Sequence, residues 1–132
     1  MDKQDQELIR AARATRKRAY APYSQYRVGA ALRGASGNIY TGANVENASY
    51  GLTICAERSA IVKAISEGER KFTAVAVASS TGATPCGACR QTLAEFGDMR
   101  VIVVDGRGRV AEFVVSELLA YGFGASKLKR GK

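Results

Sequence analysis

The chain contains no histidine, and only three cysteines and two prolines, in 132 residues. Each shortage excludes something. A structural zinc site is usually closed by four cysteine or histidine ligands. Three cysteines without histidine cannot supply that set. Three cysteines at a metal-ligand spacing, with no signal peptide, also argue against a disulfide framework and for a reducing, cytoplasmic setting. No segment has the length and apolarity of a membrane-spanning helix. Residues 1–5, Met-Asp-Lys-Gln-Asp, form no signal-peptide apolar region. No internal repeat, low-complexity segment or interior linker interrupts the chain. The length predicts one domain, over 1–126, with a basic and mobile tail over 127–132. Such a chain buries about two-thirds of its unfolded surface.

The net charge is +8, which raises the question of a nucleic-acid partner. The cations gather at the two ends. Arg10, Arg13, Arg16, Lys17 and Arg18 fall in the first helical stretch, and Lys127, Lys129, Arg130 and Lys132 in the tail. No aromatic residues interleave the tail charges, so that stretch has no stacking platform. The expectation is a solvated helix face and a mobile tail, without a nucleic-acid or membrane partner.

The informative residues are the cysteines themselves. Cys86 and Cys89 have the Cys-x-x-Cys spacing, which serves both metal sites and redox pairs. Cys55 turns the balance toward metal. A carboxylate could supply a fourth ligand, but an open position filled by water is the more economical reading, and three protein ligands plus water is the pattern of a catalytic zinc site. Glu57 lies two residues after Cys55, and a carboxylate beside such a water can act as general base and acid. Three thiolates with one Zn²⁺ carry a formal net of about −1, so positive charge is expected nearby. Arg58, three residues after Cys55, and Arg90, directly after Cys89, are the candidates. Helix starts are the other source of positive potential. Thr53 is read as the N-cap of one helix and Pro85 as the start of a second, which puts sulfurs near positive helix ends. One geometric condition follows. Residues two apart in a helix point in nearly opposite directions, so Cys55 and Glu57 converge on one metal only if Cys55 sits at an irregular helix edge.

Cys55-Ala56-Glu57, followed by Pro85-Cys86-x-x-Cys89, resembles the signature of the zinc-dependent nucleoside and nucleobase deaminases. With cysteine as first ligand, the chain resembles the small cytidine deaminases. Ala21-Pro22-Tyr23-Ser24-Gln25-Tyr26-Arg27-Val28-Gly29-Ala30-Ala31, Asn44-Val45-Glu46-Asn47 and Glu117-Leu118-Leu119 extend that likeness over nearly the whole chain. The resemblance implies hydrolytic deamination of cytidine and deoxycytidine at C4, with Zn²⁺ on Cys55, Cys86 and Cys89 and Glu57 shuttling protons. It implies that Asn44 and Glu46 hold the ribose, that the Ala56 amide helps position substrate, and that the enzyme is a homotetramer with active sites at subunit contacts. Phe123 matches the aromatic that reaches into a neighbouring subunit's site. The chain departs from the family pattern at Tyr26, where Phe is common, and at Ala120, where Pro is usual. Tyr26 is expected to line the substrate pocket by its ring, with its hydroxyl directed to solvent.

Taken in order, the chain predicts a helix over about 5–20 that is stopped by Pro22. A hairpin follows, Val28–Leu32 and Ile39–Gly42, whose small Gly29, Ala30 and Ala31 suit either close packing or the approach of a ligand. Asn44–Asn47 form a polar loop. Ile54–Glu67 reads as a helix with a buried Ile54, Ile61 and Ile65 stripe, stopped by Gly68. Ala74–Ala78 reads as a central strand. After a helix placing Cys89, Leu93 and Phe96 on one face come Val101–Val104 and Val110–Val115, joined by Asp105-Gly106-Arg107-Gly108. That connection is too short for a parallel crossover, so the last two strands are antiparallel. Ser116 caps a short final helix. The whole predicts an α/β fold of three layers, α-β-α, around a five-stranded mixed sheet. Three other functions share parts of the pattern: a deaminase of a nucleoside antibiotic such as blasticidin S, a non-catalytic zinc or RNA-binding module, and a thiol–disulfide exchange protein. Asn44-Val45-Glu46-Asn47 favours cytidine over the first. The missing histidines and the position of Glu57 argue against the second. The three-cysteine site absorbs the Cys-x-x-Cys of the third.

Overall fold

A computed structural model describes residues 1–128. The elements are α1 (Lys3–Arg16), β1 (Gly29–Gly34), β2 (Ile39–Ala43), α2 (Ala56–Ser66), β3 (Phe72–Ala78), α3 (Gly87–Ala94), β4 (Arg100–Val104), β5 (Val110–Val114) and α4 (Val115–Leu118). Short 3₁₀ turns occupy Tyr50–Leu52 and Ala125–Lys127. The five strands run in the order β2-β1-β3-β4-β5. β1 is antiparallel to β2 and β3, β3 is parallel to β4, and β5 returns antiparallel to β4. The mixed sheet and its antiparallel last pair are as the connection lengths required.

Strand periodicity divides the interior in two. Successive side chains of a strand point to opposite faces, so Leu32, Val75, Val77, Val101 and Val103 meet α2 and α3. Their neighbours Ala31, Ala74, Ala76, Ile102 and Val104 meet Leu8, Ile9 and Ala12 of α1. The result is the expected three layers. Leu8 is 1% exposed, and burying such a side chain stabilises by about 1.5–3 kcal/mol. Two glycines set how close the outer layers come. A Cβ at Gly29 would overlap the backbone of Ala12 and Arg16 on α1, and one at Gly42 would overlap Ala56 and Ala60 on α2. The small residues of β1 therefore serve helix packing rather than the approach of a ligand.

Several boundaries differ from the sequence reading, each for a local reason. α1 is capped by Asp2, whose carboxylate accepts from the Asp5 amide at 2.8 Å, and it stops at Arg16, well before Pro22. Tyr20 has left the helix to pair with the Asn44–Glu46 segment: its amide donates to the Asn44 carbonyl, and its carbonyl accepts from the Glu46 amide, both at 2.9 Å. Ile54 is not part of a buried stripe. It precedes α2 in an extended bridge with Val45 and is 43% exposed. Phe96 lies beyond the end of α3. Ser116 sits inside α4 instead of capping it, and its amide and hydroxyl both donate to the Asp98 carboxylate at 2.7 Å. Lys127 belongs to the last 3₁₀ turn. Lys129, Arg130 and Lys132 of the expected tail lie outside the described residues. Among the described residues no helix is long and apolar enough to cross a membrane.

Arg100 staples α1 to the far edge of the sheet. Its guanidinium donates to Asp5 at 2.7 and 3.1 Å and to Glu112 at 2.9 and 3.0 Å. The Arg100 hydrogen bonds hold both carboxyls below their ordinary values. A carboxyl with a depressed folded pKa contributes stability above its unfolded pKa, and that contribution is lost as pH falls through the folded value. The Arg100 side chain is 39% exposed, so water screens the pair. Asp5→Asn should therefore cost only about 1 kcal/mol at pH 7 and progressively less below about pH 4. Thermal melts of both proteins across that pH range check the convergence.

Candidate active site

The site forms where two helices begin. Cys55 is the N-cap of α2 and Cys86 the N-cap of α3. Both have extended backbone, with ψ of 157° and 171°, so their side chains leave the regular helical wheel. This meets the geometric condition on Cys55: it stands just outside the helix, while Glu57 lies in the first turn. Thr53 is not the N-cap. Its hydroxyl accepts from the Asn47 amide at 3.2 Å and ties down the preceding loop. Pro85 likewise stands before α3, fully buried, and Cys89 occupies the first turn of that helix.

The three sulfurs lie within 4.8 Å of one another. Cys55 Sγ is 3.8 Å from Cys86 Sγ, which is 3.5 Å from Cys89 Sγ. Tetrahedral zinc with Zn–S near 2.3 Å separates its sulfurs by about 3.7 Å, so the cluster has the right dimensions. Its electrostatics fit as well. Arg58 Nη2 donates to Cys55 Sγ at 3.6 Å and to the Thr53 carbonyl at 3.3 Å. The neighbouring Cys89 thiol and this guanidinium push Cys55 down to about 5. Cys89, buried and facing that thiolate, is pushed up. The unpaired amides and dipoles of two helix starts add positive potential at the same point. The cluster fits one Zn²⁺ per chain. Arg58 thus supplies the positive charge anticipated from sequence. Arg90 does not approach the sulfurs through its hydrogen bonds, which go instead to Pro85, Thr84 and Leu118.

A cavity of about 260 Å³ opens in front of the cluster, walled by Tyr26, Val28, Asn44, Glu57, Val77 and Thr84, with Cys55, Ala56 and Cys86 at its base. It falls below the roughly 300–1,000 Å³ of drug-sized pockets and suits a small ligand. Glu57 is 5% exposed. Burial, and then the nearby Cys55 thiolate, raise its pKa. A carboxyl raised in this way holds a proton more readily than an exposed one, as a general acid–base group must.

The chain matches the family described as "Cytidine and deoxycytidylate deaminase zinc-binding region" over residues 2–105. The chain belongs to this deaminase family. A cytidine deaminase from Halalkalibacterium halodurans is 49% identical over 127 residues, covering 93% of this chain and 96% of the relative. One from Sporosarcina psychrophila is 45% identical, covering 93% of each. The crystal structure of cytidine deaminase from Burkholderia pseudomallei superposes with a TM-score of 0.88 at 44% identity, covering 93% of this chain and all of that one.

The remaining deaminase positions divide between the cavity and its surroundings. Asn44 lines the cavity and is 8% exposed. Its Oδ1 accepts from the Val28 amide at 2.9 Å, and its Nδ2 donates to the Tyr26 carbonyl at 2.8 Å. The amide therefore braces the cavity wall while keeping one N–H and one lone pair free. Glu46 lies in an adjoining depression with Tyr23, Ser24 and Tyr50, which shares Thr53 with the cavity. Its carboxylate accepts from the Tyr23 amide at 2.9 Å, the Ser24 amide at 3.1 Å and the Ser24 hydroxyl. The Ser24 hydroxyl hydrogen bond holds its pKa low. Asn44 and Glu46 thus organise the 23–28 loop by side-chain hydrogen bonds, Asn44 from the cavity wall and Glu46 from the adjoining depression. Tyr26 lines the cavity as expected, but its hydroxyl is bonded to the Thr81 hydroxyl at 2.7 Å rather than directed to solvent. Phe123 is 56% exposed and lies away from the cavity, along a groove with Leu119 and Tyr121. Sequence reasoning missed Thr84, Ser79 and Ala83 as lining residues. Their position before Pro85-Cys86 was the only signal.

If the sulfurs hold zinc, all three thiols are shielded together. The purified protein should contain about one zinc per chain, and its thiols should react with a disulfide reagent only after chelation. Parallel metal analysis and thiol titration, with and without a chelator, check both expectations.

Proposed function

We propose that the chain catalyses zinc-dependent hydrolytic deamination of cytidine and deoxycytidine, giving uridine or deoxyuridine and ammonia. The observation that carries this reading is a buried, pKa-raised Glu57 in the same small cavity as a three-cysteine cluster. Zinc bound there lowers the pKa of water to about 7 and so makes a nucleophile available at neutral pH. The protein residues do the rest. Glu57 accepts the proton of the attacking water and delivers it to ring N3. After attack at C4 it takes the remaining proton of that oxygen, as the C4 carbonyl forms, and gives it to the amino group, which leaves as ammonia, so that one carboxyl serves twice as base and as acid. The Ala56 amide, in the first turn of α2 at the base of the cavity, would donate to the pyrimidine. Tyr26 and Val28 offer the ring an apolar wall, and the free valences of Asn44 and Glu46 suit two sugar hydroxyls.

The alternatives fit less well. A blasticidin S deaminase would need no ribose-binding pair, whereas Asn44 in the cavity and Glu46 in the adjoining depression supply the groups for one. An RNA-binding module would place its cations around the pocket, whereas Arg10 and Arg13 belong to α1, with Lys17 as its C-cap, and that helix covers the opposite face of the sheet. We further propose a cytoplasmic homotetramer with shared sites. Tyr50, Leu52 and Ile54, beside the cavity mouth, are 74%, 65% and 43% exposed. That exposed apolar surface suits a second copy of the chain.

Ultraviolet assays with cytidine, deoxycytidine, blasticidin S and adenosine test the reaction. Turnover of the two cytosine nucleosides is expected, while activity on blasticidin S alone would sink the proposal. Glu57→Gln should retain zinc and lose about 10²-fold or more in kcat.

Phe123→Ala should raise KM within an assembly of unchanged size. Fully active monomers in sedimentation would remove Phe123 from the site.

A further inference from the structure

Arg90 stands next to Cys89 but turns away from the sulfurs. Its guanidinium makes three directed contacts: Nε to the Pro85 carbonyl at 2.6 Å, Nη2 to the Thr84 hydroxyl at 2.8 Å, and Nη1 to the Leu118 carbonyl at 2.7 Å. The first two acceptors immediately precede Cys86. The third ends α4, 28 residues further along the chain. Among the described residues Arg90 makes no ion pair with a carboxylate. Its planar fork is therefore spent wholly on holding backbone and a hydroxyl in place, a task that suits arginine and not lysine.

The next residue extends the same link. Gln91 Nε2 donates to the Phe123 carbonyl at 2.8 Å. Two adjacent residues of α3 thus hold both ends of the 118–123 segment, and the first of them also holds the approach to Cys86. Pro85, the residue between Thr84 and Cys86, is fully buried, and Thr84 lines the cavity. Cys86 itself is exposed, and its side chain makes no capping hydrogen bond. Its position rests on the segment before it and on the helix after it.

We infer that Arg90 is a positioning residue that clamps the Thr84–Pro85 approach to Cys86 and the end of α4 into one unit, so that the metal-ligand geometry depends on the docked C-terminal segment. This deepens the zinc reading of the site and rests on it. Without the clamp, Cys86 loses the brace that sets its sulfur relative to Cys55 and Cys89. The fold should tolerate this, because Arg90 is not among the buried residues of either core cluster.

Chelator competition for zinc, together with the visible absorption of the cobalt-substituted protein, tests the inference without any turnover measurement. Removing a residue that orients a metal ligand costs about 10–100-fold in metal affinity, and Arg90→Ala should fall in that range and shift the cobalt–thiolate absorption. Arg90→Lys should keep most of the loss, since one ammonium cannot bridge three separated acceptors. Gln91→Ala, which frees only the Phe123 carbonyl, should leave metal affinity within about two-fold of wild type. Arg90→Ala with a lowered Tm but unchanged zinc affinity and cobalt spectrum would mean a merely structural role and overturn the inference. Should Arg90→Ala fail to fold, Arg90→Lys decides: wild-type zinc affinity in that variant refutes the clamp. A wild-type protein that binds zinc but does not deaminate cytidine would defeat the proposed function and leave this test intact.

Discussion

Negative charge on sulfur is favoured where two helices start at the same place beside Arg58. Three cysteines crowded within 4.8 Å would repel one another as thiolates. The N-termini of α2 and α3 and the Arg58 guanidinium offset that repulsion, and bound zinc completes the balance. Everything else in the fold serves this convergence. α2 must pass close over β2, which Gly42 permits because any side chain there would strike the α2 backbone. α3 must begin at the end of the central strand β3, which the Ser79–Pro85 loop arranges. Ser79 Oγ accepts from the Gly82 amide at 3.0 Å and the Ala83 amide at 3.3 Å, turning the chain toward Cys86.

The same convergence explains why a carboxyl can work beside thiolates. Glu57 is in the first turn of α2, a favourable place for negative charge. It is also buried and close to Cys55, and both raise its pKa. Asn44 and Glu46 show a related economy. Each braces the 23–28 loop by hydrogen bonds and has bonding capacity left over.

Much of this was legible in the sequence. Hydrophobic alternation and connection lengths implied five strands, a mixed sheet and an antiparallel last pair, because period and reach are local properties of the chain. The absence of histidine and the cysteine spacing pointed to three thiolate ligands with an open position. Glu57 followed from its separation from Cys55. Helix ends were less legible. Tyr20 left α1 for a bridge to residues 44–46, and Ile54 was drawn into a bridge with Val45. Both are non-local pairings that local propensity cannot anticipate.

Residue identities and short-range spacing therefore determined the layers and the donor set, and set Glu57 two residues from Cys55. Tertiary structure alone decided how the donors converge. It put Cys55 and Cys86, 31 positions apart, at two helix edges with extended backbone, and so freed their sulfurs from the helical wheel. It assigned the two arginines opposite tasks, Arg58 toward sulfur and Arg90 toward carbonyls. It also bonded the Tyr26 hydroxyl to Thr81, 55 residues away. The physical reason is the same in each case. A hydrogen bond is defined by distance and angle between groups, and for groups far apart in sequence those quantities exist only once the sheet has brought their elements together.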